Sequence, residues 1–77
     1  MTLEILTPER TLFRGEVERV TLPGASGEFT ELRNHAPIIS TLVRGSIRYV
    51  AKDGEQSLPV EGGFVEVKKN VVSVCVG

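Results

Sequence analysis

The chain has no tryptophan, one cysteine, one histidine and only four aromatic residues among its 77 positions. Each shortage closes off a class of function. With Cys75 alone, no internal disulfide can form, so the disulfide-stapled secreted scaffolds are excluded and a cytosolic compartment fits best. A structural metal site takes three or four protein ligands, and His35 with Cys75 supplies two, far apart in sequence. A nucleic-acid module would carry a basic stripe with aromatics to stack on. Here nine Lys and Arg oppose ten Asp and Glu, for a net charge of −1, and the signs alternate along the chain (Glu16, Glu18, Arg19; Arg44, Arg48, Lys52, Asp53). No apolar run approaches the ~20 residues that span a bilayer, so direct membrane insertion is not expected. Met1–Leu6 lacks the basic start and apolar stretch of a secretory leader.

What remains is a set of short segments rich in Val, Ile, Leu and Thr, punctuated by Gly and Pro. Leu3 and Ile5 alternate with Glu4, and Pro8-Glu9-Arg10 then turns the chain. Arg14-Gly15 reads as a turn or bulge. Val17 and Val20 are three apart, which breaks strict alternation. Either a bulge near Glu18-Arg19 restores the phase or Val17 packs under a loop. Pro23-Gly24 reads as a type II turn with Gly24 at the positive-φ position. The run from Ile38 to Val43 is too short to separate strand from helical turn. Ile47, Tyr49 and Ala51 share one face, and Asp53-Gly54 is the strongest hairpin signal, read as a type I′ turn. Leu58 and Val60 fall together, Gly62-Gly63 marks a bend, and Val72, Val74 and Val76 share a face. Three of the four aromatics fall at core positions. Turn signals every eight to twelve residues, without a helical pattern, predict an all-β sandwich or barrel. The length predicts one domain over residues 1–77.

Catalytic constellations are not legible. Cys75 and His35 could pair only if Cys75 were accessible, and its valine-rich surroundings predict a buried, inert thiol. Gly24-Ala25-Ser26-Gly27 lacks the Lys-Ser/Thr ending and following helix of a phosphate loop. His35, after Asn34 and before Ala36-Pro37, reads as a turn residue that satisfies nearby backbone groups; an interface contact or pH-sensitive latch is the sharper alternative. No cofactor and no catalytic or metal-binding residue is expected.

Five blocks in series carry a resemblance: Thr7-Pro8-Glu9-Arg10, Gly15-Glu16-Val17-Glu18, Leu22 to Phe29, Asn34-His35-Ala36-Pro37, and Gly62 to Val67. Together they resemble the N-terminal domain of the epsilon subunit of bacterial F-type ATP synthase, called delta in mitochondria. A generic β-sandwich interaction module with unrelated partners fits composition and turns equally well. It does not account for five blocks in register.

The resemblance implies a flattened β-sandwich of two antiparallel sheets with about ten short strands. It also implies a non-catalytic place in the central rotor, between the gamma subunit and the membrane c-ring, coupling proton flow to ATP synthesis. The location implied is the cytoplasmic side of the bacterial inner membrane, peripheral through the complex. By position, the loop Glu28, Phe29, Thr30 and Glu31 matches the c-ring side, with its carboxylates suited to Arg-containing polar loops. Thr7, His35, Ala36, Ser40 and Glu61 match the gamma side. Where the family reads Gly-Val-Leu-Pro, this chain has Thr30-Glu31-Leu32-Arg33, which adds charges expected to meet its own partners. The family continues into a C-terminal helical hairpin, and this sequence ends at Gly77. A subunit natively of this length would be expected to lack hairpin-based inhibition and nucleotide binding.

Overall fold

Nine β-strands follow one another through residues 1–32 and 36–77, which are the residues that the computed structural model describes. They are β1 (Thr2–Leu6), β2 (Thr11–Glu16), β3 (Arg19–Gly24), β4 (Gly27–Leu32), β5 (Ile38–Leu42), β6 (Gly45–Ala51), β7 (Gly54–Val60), β8 (Gly63–Lys68) and β9 (Val71–Val76). The fold is all-β, as the patterning predicts. Hydrogen bonding runs β2-β1-β9-β8-β5-β3-β6-β7, with β4 on the other edge of β3. Two layers result, β2-β1-β9-β8-β5 and β4-β3-β6-β7, joined where β3 changes neighbour. Its Arg19–Thr21 stretch pairs with β6, and Gly24 pairs with Leu42 of β5. Pro23, which has no N–H to offer a ladder, sits at the switch, and its carbonyl accepts from the Val43 N–H at 2.9 Å.

The expectation of about ten antiparallel strands is refined in two ways. The described residues hold nine, and β1 runs parallel to β9, with Leu3 opposite Val72 and Ile5 opposite Val74. A parallel pair needs a long crossover, and here the strands come from the two ends of the sequence.

Alternation places one side chain in two between the layers. Leu3, Ile5, Val65, Val72 and Val74 from one layer meet Val20, Leu22 and Ile47 from the other, all buried. Phe13 on β2 reaches Tyr49 on β6, with ring centroids 4.5 Å apart and planes tilted by 39°. Such a pair contributes about 0.5–1.5 kcal/mol beyond its burial. Burial also pushes the Tyr49 hydroxyl above its ordinary pKa of 10.0. The folded state therefore holds this proton more tightly than the unfolded chain does. Its contribution is fully present below the unfolded value and is lost as pH rises through the folded one. The urea midpoint of wild type relative to Tyr49→Phe should stay constant from neutral pH to about pH 9 and fall above about pH 10. A constant difference across that range would refute this.

Several turns differ from their sequence signals. Pro23 and Gly24 lie inside β3, and the β3–β4 turn is at Ala25-Ser26. Gly24 is required by packing rather than by φ, since an added Cβ would stand 2.8 Å from the Phe29 ring and 2.7 Å from the Gly27 carbonyl oxygen. Gly15 likewise lies within β2, under the Phe13 ring. The β6–β7 hairpin turns at Lys52-Asp53 and leaves Gly54, with φ +118, as the first strand residue. Lys69-Asn70, between β8 and β9, is a turn with two positive-φ residues, at φ 52 and 62. Val17 is buried between β2 and β3. Its N–H donates to the Met1 carbonyl, and that of Glu18 donates to the Val50 carbonyl, both at 2.8 Å. The chain steps from one layer to the other at this corner, and the register of β3 with β4 and β6 is unbroken.

Candidate functional site

The same alternation that fills the core assigns the outward side chains of each layer. On the five-stranded layer the registers align Thr41, Phe64, Cys75, Leu6 and Thr11 in one row across β5, β8, β9, β1 and β2. Its centre is apolar, and Phe64 is 52% exposed. The next row is Ile39, Glu66, Ser73, Glu4 and Arg14. Ile39 is 74% exposed at one end of it. At the other end Glu4 accepts from the Ser73 hydroxyl at 3.2 Å and pairs with Arg14 at 3.4 Å. An apolar depression of about 440 Å³ opens beside the first row, lined by Leu6, Thr7, Pro8, Phe64, Cys75 and Val76 among others. A second, of about 370 Å³, lies at the far end of β5 and β8, where Ile38, Ile39 and Val67 line it.

The outer face of the four-stranded layer is different. Thr30, Thr21, Arg48 and Ser57 form one row across β4, β3, β6 and β7. The Thr21 and Thr30 hydroxyls are 2.9 Å apart, and Arg48 Nη2 reaches Glu28 Oε1 at 2.9 Å. One face is therefore apolar with a polar flank, and the other is hydroxyl-bearing and charged. A contiguous exposed apolar stretch rimmed by polar groups is the mark of a contact surface.

The residues assigned to the c-ring side lie on strand β4 rather than on a loop. Glu28 and Thr30 point outward, Phe29 is half-buried over Gly24, and Glu31 points inward opposite Val20. Glu31 is only 1% exposed, so the expectation of an accessible carboxylate there is corrected. Strand period is the cause: with Phe29 inward, Glu31 must follow it, and the apolar Leu32 is left outside.

The gamma-side residues are more scattered. Thr7 follows β1 beside the 440 Å³ depression, and its hydroxyl caps the turn by accepting from the Arg10 N–H at 3.0 Å. Glu61 is exposed at the same end of the layer, 3.7 Å from Arg44. Ala36 is exposed at the opposite end, before β5. Ser40 faces inward on β5, and its hydroxyl donates to the Thr41 carbonyl at 3.0 Å. His35 lies outside the described residues, as do Asn34 and Arg33.

Sequence reasoning missed Phe64, Leu6 and Ile39 as surface residues. It also placed Cys75 inside, whereas the residue is half-buried on the outward side of β9. The signal was available: if Val72, Val74 and Val76 face the core, Val71, Ser73 and Cys75 cannot. Among the described residues no three His, Cys, Asp or Glu side chains group as a metal would require.

The fold and its two contrasting faces define a small two-layer β-sandwich. Residues 1–77 match the family described as ATP synthase, Delta/Epsilon chain, beta-sandwich domain, and the chain belongs to that family. It is similar to the ATP synthase epsilon chain of Leptospira borgpetersenii, 39% identical over 74 residues, which is 96% of this chain and 58% of the relative. The epsilon chain of Desulfitobacterium hafniense is 42% identical over 73 residues, 95% of this chain and 55% of the relative. The chain spans about half the length of the curated relatives it matches. Among solved structures, it superposes on a chain of the Euglena gracilis mitochondrial ATP synthase OSCP/F1/c-ring assembly. That match has a TM-score of 0.87 at 22% identity, over 96% of this chain and 48% of that chain. A chain of the Tetrahymena thermophila mitochondrial ATP synthase central stalk and c-ring gives 0.80 at 16% identity, over 97% of this chain and 61% of that one.

Proposed function

We propose that this chain is the non-catalytic β-sandwich module of an ATP synthase central stalk, holding the gamma subunit on one face and the c-ring on another. Its place is peripheral to the membrane, on the cytoplasmic side, through the complex. The observation that carries the reading is the family match across all of residues 1–77, and the two unlike faces support it. The apolar row of Phe64, Cys75 and Leu6, with Ile39 and the depression at Thr7, is the gamma side. The outward residues of β4, Glu28 and Thr30, are the ring side. A rotor element must transmit torque without slipping, and a wide face of shape and polar complementarity resists slipping better than one small pocket.

The test is direct association. The purified chain and the gamma subunit from the same source, mixed and run on a sizing column, are expected to migrate as a one-to-one complex at roughly micromolar concentration. Separate elution at concentrations roughly tenfold higher would overturn the gamma assignment.

A further inference from the structure

Arg48 belongs to none of the residues assigned to either partner, yet it is the centre of the polar row on the four-stranded layer. From β6 it reaches across β3 to the carboxylate of Glu28 on β4, Nη2 to Oε1 at 2.9 Å. Both side chains keep about half of their surface in solvent. Thr21 and Thr30 tie their hydroxyls together beside the pair, and Ser57 stands opposite Arg48 on β7. Glu31, the other acidic residue of β4, is turned into the core. The outward face of β4 is therefore no acidic patch. Its one outward carboxylate is already engaged by a guanidinium.

We propose that Arg48 and Glu28 act together as a preformed ion-pair element on the ring side, with Arg48 as a contact residue in its own right. The inference rests on the reading of β4 as that side. A guanidinium has five N–H donors in a rigid fork. The single contact with Glu28 restrains the group, and the side chain, 44% exposed, has further donors to offer a partner. The partner that fits is a polar loop that presents carbonyl or carboxylate acceptors to Arg48 beside a cation for Glu28. A purely cationic loop would be repelled by Arg48, so the sign of the Arg48 effect separates the two chemistries. Pre-ordering matters because two long side chains otherwise lose their rotamer freedom on docking.

The experiment titrates labelled chain against detergent-purified gamma–c-ring subcomplex, and separately against gamma alone, by fluorescence anisotropy. Arg48→Gln is expected to weaken binding to the subcomplex by roughly three- to tenfold, a typical range for a charged interface contact of ~0.7–1.4 kcal/mol. Glu28→Gln should weaken it by a similar factor, and the double variant by no more than the worse single one, because each holds the other. Arg48→Lys should recover only part, since an ammonium lacks the fork. Gamma alone should bind every variant like wild type, which also reports that the fold is intact.

If Arg48→Gln leaves binding unchanged or tightens it while Glu28→Gln weakens it, the ion-pair element is wrong and β4 offers a simple acidic contact. Strictly additive losses, or a loss with Arg48→Gln alone, overturn the coupling. If neither substitution matters, the ring-side reading of β4 falls, and this inference with it.

Discussion

Replacing Gly63 by alanine is expected to lower the unfolding free energy by about 3–5 kcal/mol, combining backbone strain with a forced backbone displacement. Gly63 opens β8 at φ +140, where L side chains are strained. It pairs with Leu42 on one side and Val76 on the other, so three strands converge on it. A Cβ built there would lie 2.1 Å from the Cys75 carbonyl oxygen and 3.1 Å from its carbon. Backbone cannot rotate away as a flexible side chain can, so β8 or β9 must shift. Seventy-seven residues carry roughly 4–12 kcal/mol of stability in all. The substitution therefore removes a large part of it. Gly27→Ala is the matched control, with φ +126 but nothing within 4 Å of the added methyl. It should cost only the strain, about 1–2 kcal/mol. Urea unfolding of the two variants reads the difference directly, and equal losses would show that the contact with Cys75 is not the cause.

The second large effect is on association. Aspartate at both Ile39 and Phe64 should weaken gamma binding at least ~30-fold per site, the size of a central hot-spot loss of ~2 kcal/mol. Both side chains are more than half exposed, so the isolated fold should tolerate the change and melt close to wild type. Ser57→Asp, on the opposite face, should leave gamma binding alone. If the Ile39/Phe64 variant binds gamma normally, the apolar face serves something else and the gamma assignment on it is lost.

Much of this architecture was legible from alternation, and the failures have identifiable physical causes. Leu3 and Ile5, Ile47 and Tyr49, and the valines at 72, 74 and 76 all point inward as their period of two requires. Pro23-Gly24 misled because a dipeptide common in turns also serves where a strand changes partner, with glycine chosen for the Phe29 ring. Lys69-Asn70 divides two strand segments in the sequence without a glycine to mark the turn type, and both residues take positive φ. The parallel pairing of β1 with β9 is a contact between sequence ends that local pattern cannot encode.

The candidate surfaces were legible in part. The position of β4 came through, but reading it as a loop hid its alternation, and with it the inward Glu31. Arg48 left no signal as a partner of Glu28, because its place beside β4 depends on β3 lying between β4 and β6. The apolar face was obscured by assigning Cys75 to the core alongside the valines that exclude it.

A module that holds gamma to the ring, as proposed, would be needed for the coupling of proton flow to ATP turnover. ATP synthase from the source of this chain, stripped of its native delta/epsilon-type subunit and returned to vesicles, gives the most direct measurement. Purified chain is added, and ATP-driven proton pumping is followed by quenching of a pH-sensitive dye. Pumping is expected to recover as the chain is added and to saturate near one chain per complex. Pumping that stays at the stripped level, at concentrations where the chain binds gamma, would contradict it.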